Sequence, residues 1–135
     1  MLTEIFLEHY GETDVIHLLE RLGNQGLQID ASLAPLVIEA AQKGDMVALE
    51  IIHQAAESLS SVCVGVARQL DLTAQEVDVV LIGSVFKAGK IFIDPLTECI
   101  HAEMPLAKLT RLDCPPVAGG VVLAMKQAGL PLEPT

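Results

Sequence analysis

The sequence predicts an α/β lobe that is helix-rich, with a small and mainly parallel sheet. Three observations carry that reading. The stretch Val77-Asp78-Val79-Val80-Leu81-Ile82 sets five apolar residues around one Asp, the pattern of a short strand buried on both faces. Helix-like segments flank it on either side. The composition is rich in Ala, Leu, Val and Ile and only 3% aromatic, which favours packed helices over an all-β sandwich. At 135 residues the chain suits a single domain.

The elements follow in order. Residues 4 to 10 read as a short helix with Thr3 as its cap and Gly11 as its stop. Thr13 then caps a second helix whose apolar stripe is Val15, Ile16, Leu18, Leu19 and Leu22, closed by Gly23. Together they predict an amphipathic hairpin over residues 1–29, joined by the turn-rich Gly23-Asn24-Gln25-Gly26 to a core over 30–135. Asp30-Ala31-Ser32 leads into a helix that carries Pro35 in its first turn and ends at Lys43-Gly44. Asp45 caps the next helix at once, from about Met46 to Leu70. Apolar residues at 49, 52, 56, 59, 63, 66 and 70 mark its buried face, leaving Glu50, Glu57, Ser60 and Arg68 to water. Asp71 to Glu76 is a polar turn before the strand.

Beyond the strand, Val85 to Glu103 predicts a helix interrupted near Asp94-Pro95, and Lys108 to Leu112 a second strand. Cys114-Pro115-Pro116 opens a last helix, Val117 to Ala128, closed by Gly129 and Pro131. That helix has almost no polar residue before Lys126, so it reads as buried nearly all round. Gly119-Gly120 inside it costs about 1 kcal/mol per glycine in propensity, which implies close approach of a neighbour.

The strand ends in small residues at Gly83-Ser84, where open α/β sheets bind ligands, and a nucleotide is the first ligand class to weigh. The stretch Gly83 to Lys90 is not a P-loop. Position 84, where the pattern needs its first glycine, is Ser, and Ile91 stands where the metal-binding hydroxyl belongs. A net charge of -10 with eight scattered basic residues excludes a nucleic-acid footprint. Cys63, Cys99 and Cys114 form no C-x-x-C pair and read as buried reduced thiols. The four histidines lack metal-ligand spacing. Lys87 reads as a solvated residue that can also reach a phosphate as a point charge. Asp78, within the strand, reads as an edge-facing or capping carboxylate, and Asp94 and Glu98, which share a helical face, as solvated ones. Met1-Leu2-Thr3-Glu4 shows no signal peptide, and no run approaches a membrane span, so the reading is a cytoplasmic chain with no membrane partner.

Four stretches in order resemble one family. They are Leu33-Ala34-Pro35-Leu36-Val37 with Ala40-Ala41-Gln42-Lys43-Gly44-Asp45, the long Ala-rich helix, Gly83-Ser84-Val85-Phe86-Lys87, and Pro116-Val117-Ala118-Gly119-Gly120-Val121. Together they resemble the carboxyl-terminal lobe of the BadF/BadG/BcrA/BcrD-type ATPases, which include N-acetylglucosamine kinases and sit among the sugar kinases, actin and heat-shock chaperone ATPases. The resemblance implies a ribonuclease-H-like lobe and ATP as cofactor. It implies that Gly83, Ser84 and Val85 face the adenosine, with Ala31 and Ser32 on the other side of the base. It further implies that Gly119 and Gly120 let the last helix lie against the loop after the strand.

The family's Asp-Gly-Gly-x-T-type phosphate loop, its metal-organising acid and its sugar-binding base have no counterpart in this sequence. The resemblance therefore implies an amino-terminal lobe as partner, Mg2+ held with that lobe, and no catalysis by this chain alone. The competing reading is a non-enzymatic helical module that forms a homodimer or docks on a partner.

Overall fold

A computed structural model describes residues 1–24, 29–112, 114–115 and 117–130. The Gln25-Gly26 half of the first turn, Pro116 and Pro131 lie outside the described residues. The chain folds as α1 (Leu2–Tyr10), α2 (Val15–Asn24), a 3-10 turn at Ala31–Leu33, α3 (Ala34–Gln42) and α4 (Met46–Gln69). Strand β1 (Val77–Leu81), a 3-10 turn at Ser84–Ala88, α5 (Lys90–His101), β2 (Ala107–Arg111) and α6 (Val117–Gln127) follow. The two strands form one parallel sheet, with Val77 opposite Ala107 and Leu81 opposite Arg111. The fold is α/β and helix-rich.

Glycine stops and aspartate caps set several of the helix ends. Gly11 takes left-handed φ 68° and stops α1. Asp45 caps α4 by accepting from the Ala48 N–H at 3.0 Å. Its other oxygen accepts from the Leu2 N–H at 2.8 Å, so one carboxylate ties the start of α1 to the α3–α4 corner. The backbone donors of Ala48 and then Leu2 hold that carboxyl below the ordinary Asp range. Two expected caps differ. Helix α1 begins before Thr3 with no side-chain cap, and Asp14, not Thr13, accepts from the Ile16 N–H at 3.0 Å. Helix α2 also runs through Gly23 to Asn24.

The core lies where α4 packs against α5 and α3, with α1 on the outside of α3. Ala40, Ala48 and Ala56 are fully buried along this seam, and Ile52, Val64, Leu96 and Ile100 fill the space beside it. Small side chains let the helix backbones approach closely. The buried face of α4 is Ala48, Ile52, Ala56, Ser60, Val64 and Ala67, rotated from the expected stripe, so Leu59, Val66 and Leu70 stand exposed. Ser60 was expected in water but is buried, because its hydroxyl donates to the Glu57 carbonyl at 2.9 Å and needs no solvent.

Helix α5 passes through Pro95 without interruption. The helix starts after Gly89, whose φ is 72°, and Pro95 lies inside it and buried, so that the Ile91 carbonyl lacks the usual donor from residue 95. The Thr97 hydroxyl donates to the Ile93 carbonyl at 2.7 Å in the same turn.

Strand β1 is buried on one face only. Leu81 belongs to the core with Val77 and Val79 packed against it, whereas Val80 is 49% and Ile82 54% exposed. A strand buried on both faces needs neighbours that the described residues do not supply. Helix α6 departs further from expectation. It buries no residue, Val117 is 73% exposed, and an added Cβ at Gly119 or Gly120 would meet nothing within 4 Å. The expected close approach to the loop after the strand is therefore absent. Cys114 is exposed and Cys63 and Cys99 are half-buried, so the buried-thiol expectation fails for Cys114.

No helix among the described residues is long and apolar enough to cross a membrane.

Candidate functional site

Two 3-10 turns, far apart in sequence, face one another across a cleft. The first is built by Asp30, whose carboxylate accepts from the Ser32 N–H at 2.8 Å and turns the chain into α3. Hydrogen bonds from the Ser32 side chain and then its backbone hold the Asp30 carboxyl below its ordinary range. The second follows β1. Gly83 adopts φ 134° and ψ 164°, a conformation open in practice only to glycine. Phe86 then plugs into the core and meets Phe92 edge to face, with ring centroids 6.0 Å apart. That anchor leaves Ser84 exposed and Val85 half-buried against the edge of the core.

The cleft between the turns has a volume of about 590 Å³, within the range of small-molecule sites. Ala31 and Ser32 line one wall, Ser84 and Val85 the other, and Lys87 and Ala88 continue the second wall. Pro35, Ile38, Glu39 and Gln42 of α3 make the floor. The lining is mostly apolar with two hydroxyls. Glu39 is engaged by Lys43, whose Nζ lies 2.6 Å from its carboxylate.

Four of the five residues expected at a nucleotide site, Ala31, Ser32, Ser84 and Val85, thus share one cleft. Gly83 does not line it. It borders a smaller adjoining cavity of about 210 Å³ at the carboxyl ends of the two strands, with Leu81, Lys87, Arg111 and Leu112. Lys87 lines both cavities.

Sequence reasoning missed the floor. Pro35, Ile38, Glu39 and Gln42 recur at helical spacing, so the period of α3 marks them as one face once Ser32 is taken as a wall. Arg111 carried no such signal, because only the parallel register brings it beside Leu81. Among the described residues no group of three His, Cys, Asp or Glu is placed to hold a metal ion.

No family model matches the chain. Over 128 residues the chain is 30% identical to the N-acetyl-D-glucosamine kinase of Dictyostelium discoideum, a match that covers 92% of this chain. The chain spans only 40% of the length of that kinase. The likeness supports a sugar-kinase-like relationship.

Proposed function

We propose that this chain is the adenosine-binding, carboxyl-terminal lobe of an ATP-dependent kinase acting on an N-acetylglucosamine-like sugar. On this reading it has a ribonuclease-H-like core of the BadF/BadG type, works in the cytoplasm, and catalyses only with its amino-terminal lobe. The observation that carries the reading is the convergence of Ala31-Ser32 and Ser84-Val85 on one cleft in a chain similar to a sugar kinase.

The lining fits a purine nucleoside. Small side chains and Pro35 leave flat apolar walls for a base, and Ser32, Ser84 and Gln42 offer donors and acceptors to its edge and to the ribose. The phosphates would run toward the smaller cavity, where Lys87 and Arg111 supply positive charge. Mg2+ would be held from the amino-terminal side, since no cluster of acids among the described residues suits it. Bound ATP supplies the phosphoryl group; the residues here bind and orient the nucleoside end. Phosphoryl transfer depends on positioning and on charge around the γ-phosphate, so on this reading half a cleft does not catalyse it.

Titrating ATP into the isolated chain while recording amide NMR spectra tests the reading. Weak binding should shift Ala31, Ser32, Ser84 and Val85, and Ser84→Glu, at an exposed position, should remove the response without unfolding the chain. Adding the amino-terminal lobe should restore ATP-dependent phosphorylation of N-acetylglucosamine. ATP hydrolysis that ignores the sugar would place the chain with the ATPases instead. A second reading, a docking or dimerising module, is favoured by the exposed apolar surface of α6. Tight self-association with no response to nucleotide would establish it.

A further inference from the structure

We infer that Gln42 sets the choice of base: its carboxamide accepts from the 6-amino group of adenine and donates to N7, so the cleft prefers adenine nucleotides to guanine and hypoxanthine ones. This rests on the nucleotide reading and adds to it the residue that determines specificity.

The polar groups of the cleft are unequal. Ser32 commits its hydroxyl and its backbone N–H to Asp30. Glu39 is held by Lys43 Nζ at 2.6 Å. Lys87 carries donors only and borders the smaller cavity as well. That leaves Ser84 and Gln42, both exposed at the lining. Among the described residues neither of these side chains has a hydrogen-bond partner. A hydroxyl rotates to give or to accept, so Ser84 suits any base edge. A carboxamide sets an acceptor beside a donor, a pattern that tells one edge from another.

The placement suits the task. Pro35, Ile38 and Gln42 share one face of α3, with Gln42 about two turns and about 10 Å beyond Pro35. A flat base resting on Pro35 and Ile38 therefore brings its rim to Gln42. The backbone that carries Gln42 is fixed, because Ala40 and Ala41 beside it are buried and the Ala41 carbonyl accepts from the Gly44 N–H at 2.9 Å. Adenine presents its N6 donor next to its N7 acceptor, and a glutamine carboxamide meets that pair with two hydrogen bonds. Guanine and hypoxanthine present O6 next to N7, two acceptors, so the carboxamide oxygen of Gln42 would face another acceptor.

Titrating ATP, 7-deaza-ATP, ITP and GTP into the chain, with amide NMR at Ser32 and Ser84 as the readout, measures the discrimination. The chain should bind ATP about tenfold more tightly than each of the other three. Gln42→Met keeps the length of the side chain and removes both polar atoms, so it should bind ATP and 7-deaza-ATP alike, with its thermal unfolding unchanged. The comparison of ATP with 7-deaza-ATP on the unaltered chain decides the matter even where that variant fails to fold. Equal binding of those two by the unaltered chain, or a preference for ATP that survives Gln42→Met, would overturn the inference and leave the nucleotide reading standing. No shift at Ser32 or Ser84 with any of the four would overturn both.

Discussion

Helices α5 and α6 are close in length and both rich in apolar residues, yet α5 is buried and α6 is bare. Helix α5 sets Phe92, Pro95, Leu96 and Ile100 into the core, whereas α6 buries nothing although it is the less polar of the two in sequence. The difference is not composition but company. Helix α5 is the crossover between two paired strands and packs against α4. Helix α6 leaves the last strand with no described element packed extensively on it. Hydrophobicity states that a surface wants covering; only connectivity supplies the cover.

Three measurements sharpen or break the comparison. The largest effect belongs to α5: Leu96→Ala, at a site 1% exposed, should cost about 2–5 kcal/mol in urea unfolding. Leu123→Ser on α6, at a site 63% exposed, should stay within about 0.5 kcal/mol. Equal losses at the two sites would mean that α6 is packed in solution. Next comes Gly83→Ala. A Cβ there meets nothing within 4 Å, so any loss is conformational, about 1–3 kcal/mol from forcing Ala to φ 134°. No loss would show that the turn after β1 relaxes freely.

The smallest effect is in the α1–α2 hairpin, where Glu12 is bonded by His17 Nδ1 at 2.8 Å and by Arg21. His17, then Arg21, lowers Glu12 below 4.5, and Glu12 raises His17 above 6.5. The Glu12 contribution is present above pH 4.5 and fades as the pH falls through its lowered value. The His17 contribution is full below pH 6.5 and fades as the pH rises through its raised value. Exchange protection of α2 should therefore peak between those limits and flatten in His17→Gln; an unchanged profile would remove the pair from the account.

What the sequence disclosed follows the same division. The Lys43-Gly44-Asp45 corner, the start of α4 and the Val77–Leu81 strand were legible because local rules govern them: a glycine stop, a carboxylate cap and a β-branched run. The site was half legible. Gly83-Ser84 was marked by the abrupt end of its strand and Ser32 by the family resemblance alone, whereas the α3 floor and Arg111 come from packing and register. The errors share one cause. Ser60, Val80 and the Gly119-Gly120 pair were each assigned a burial state from their own chemistry, and burial is set by neighbours. Ser60 found an acceptor in its own helix, and no element among the described residues covers Val80 or α6.

The alanine seam between α3 and α4 sets the terms on which this lobe can change. Ala40 of α3 and Ala48 of α4 are fully buried, so a larger side chain at either must displace its neighbours. Pro35, Glu39 and Gln42 sit on the other side of α3, facing the cleft, where bulk and polarity can vary without moving the helix. One helix thus separates what must stay constant from what is free to drift, and new ligand preferences can arise there while the architecture is inherited intact.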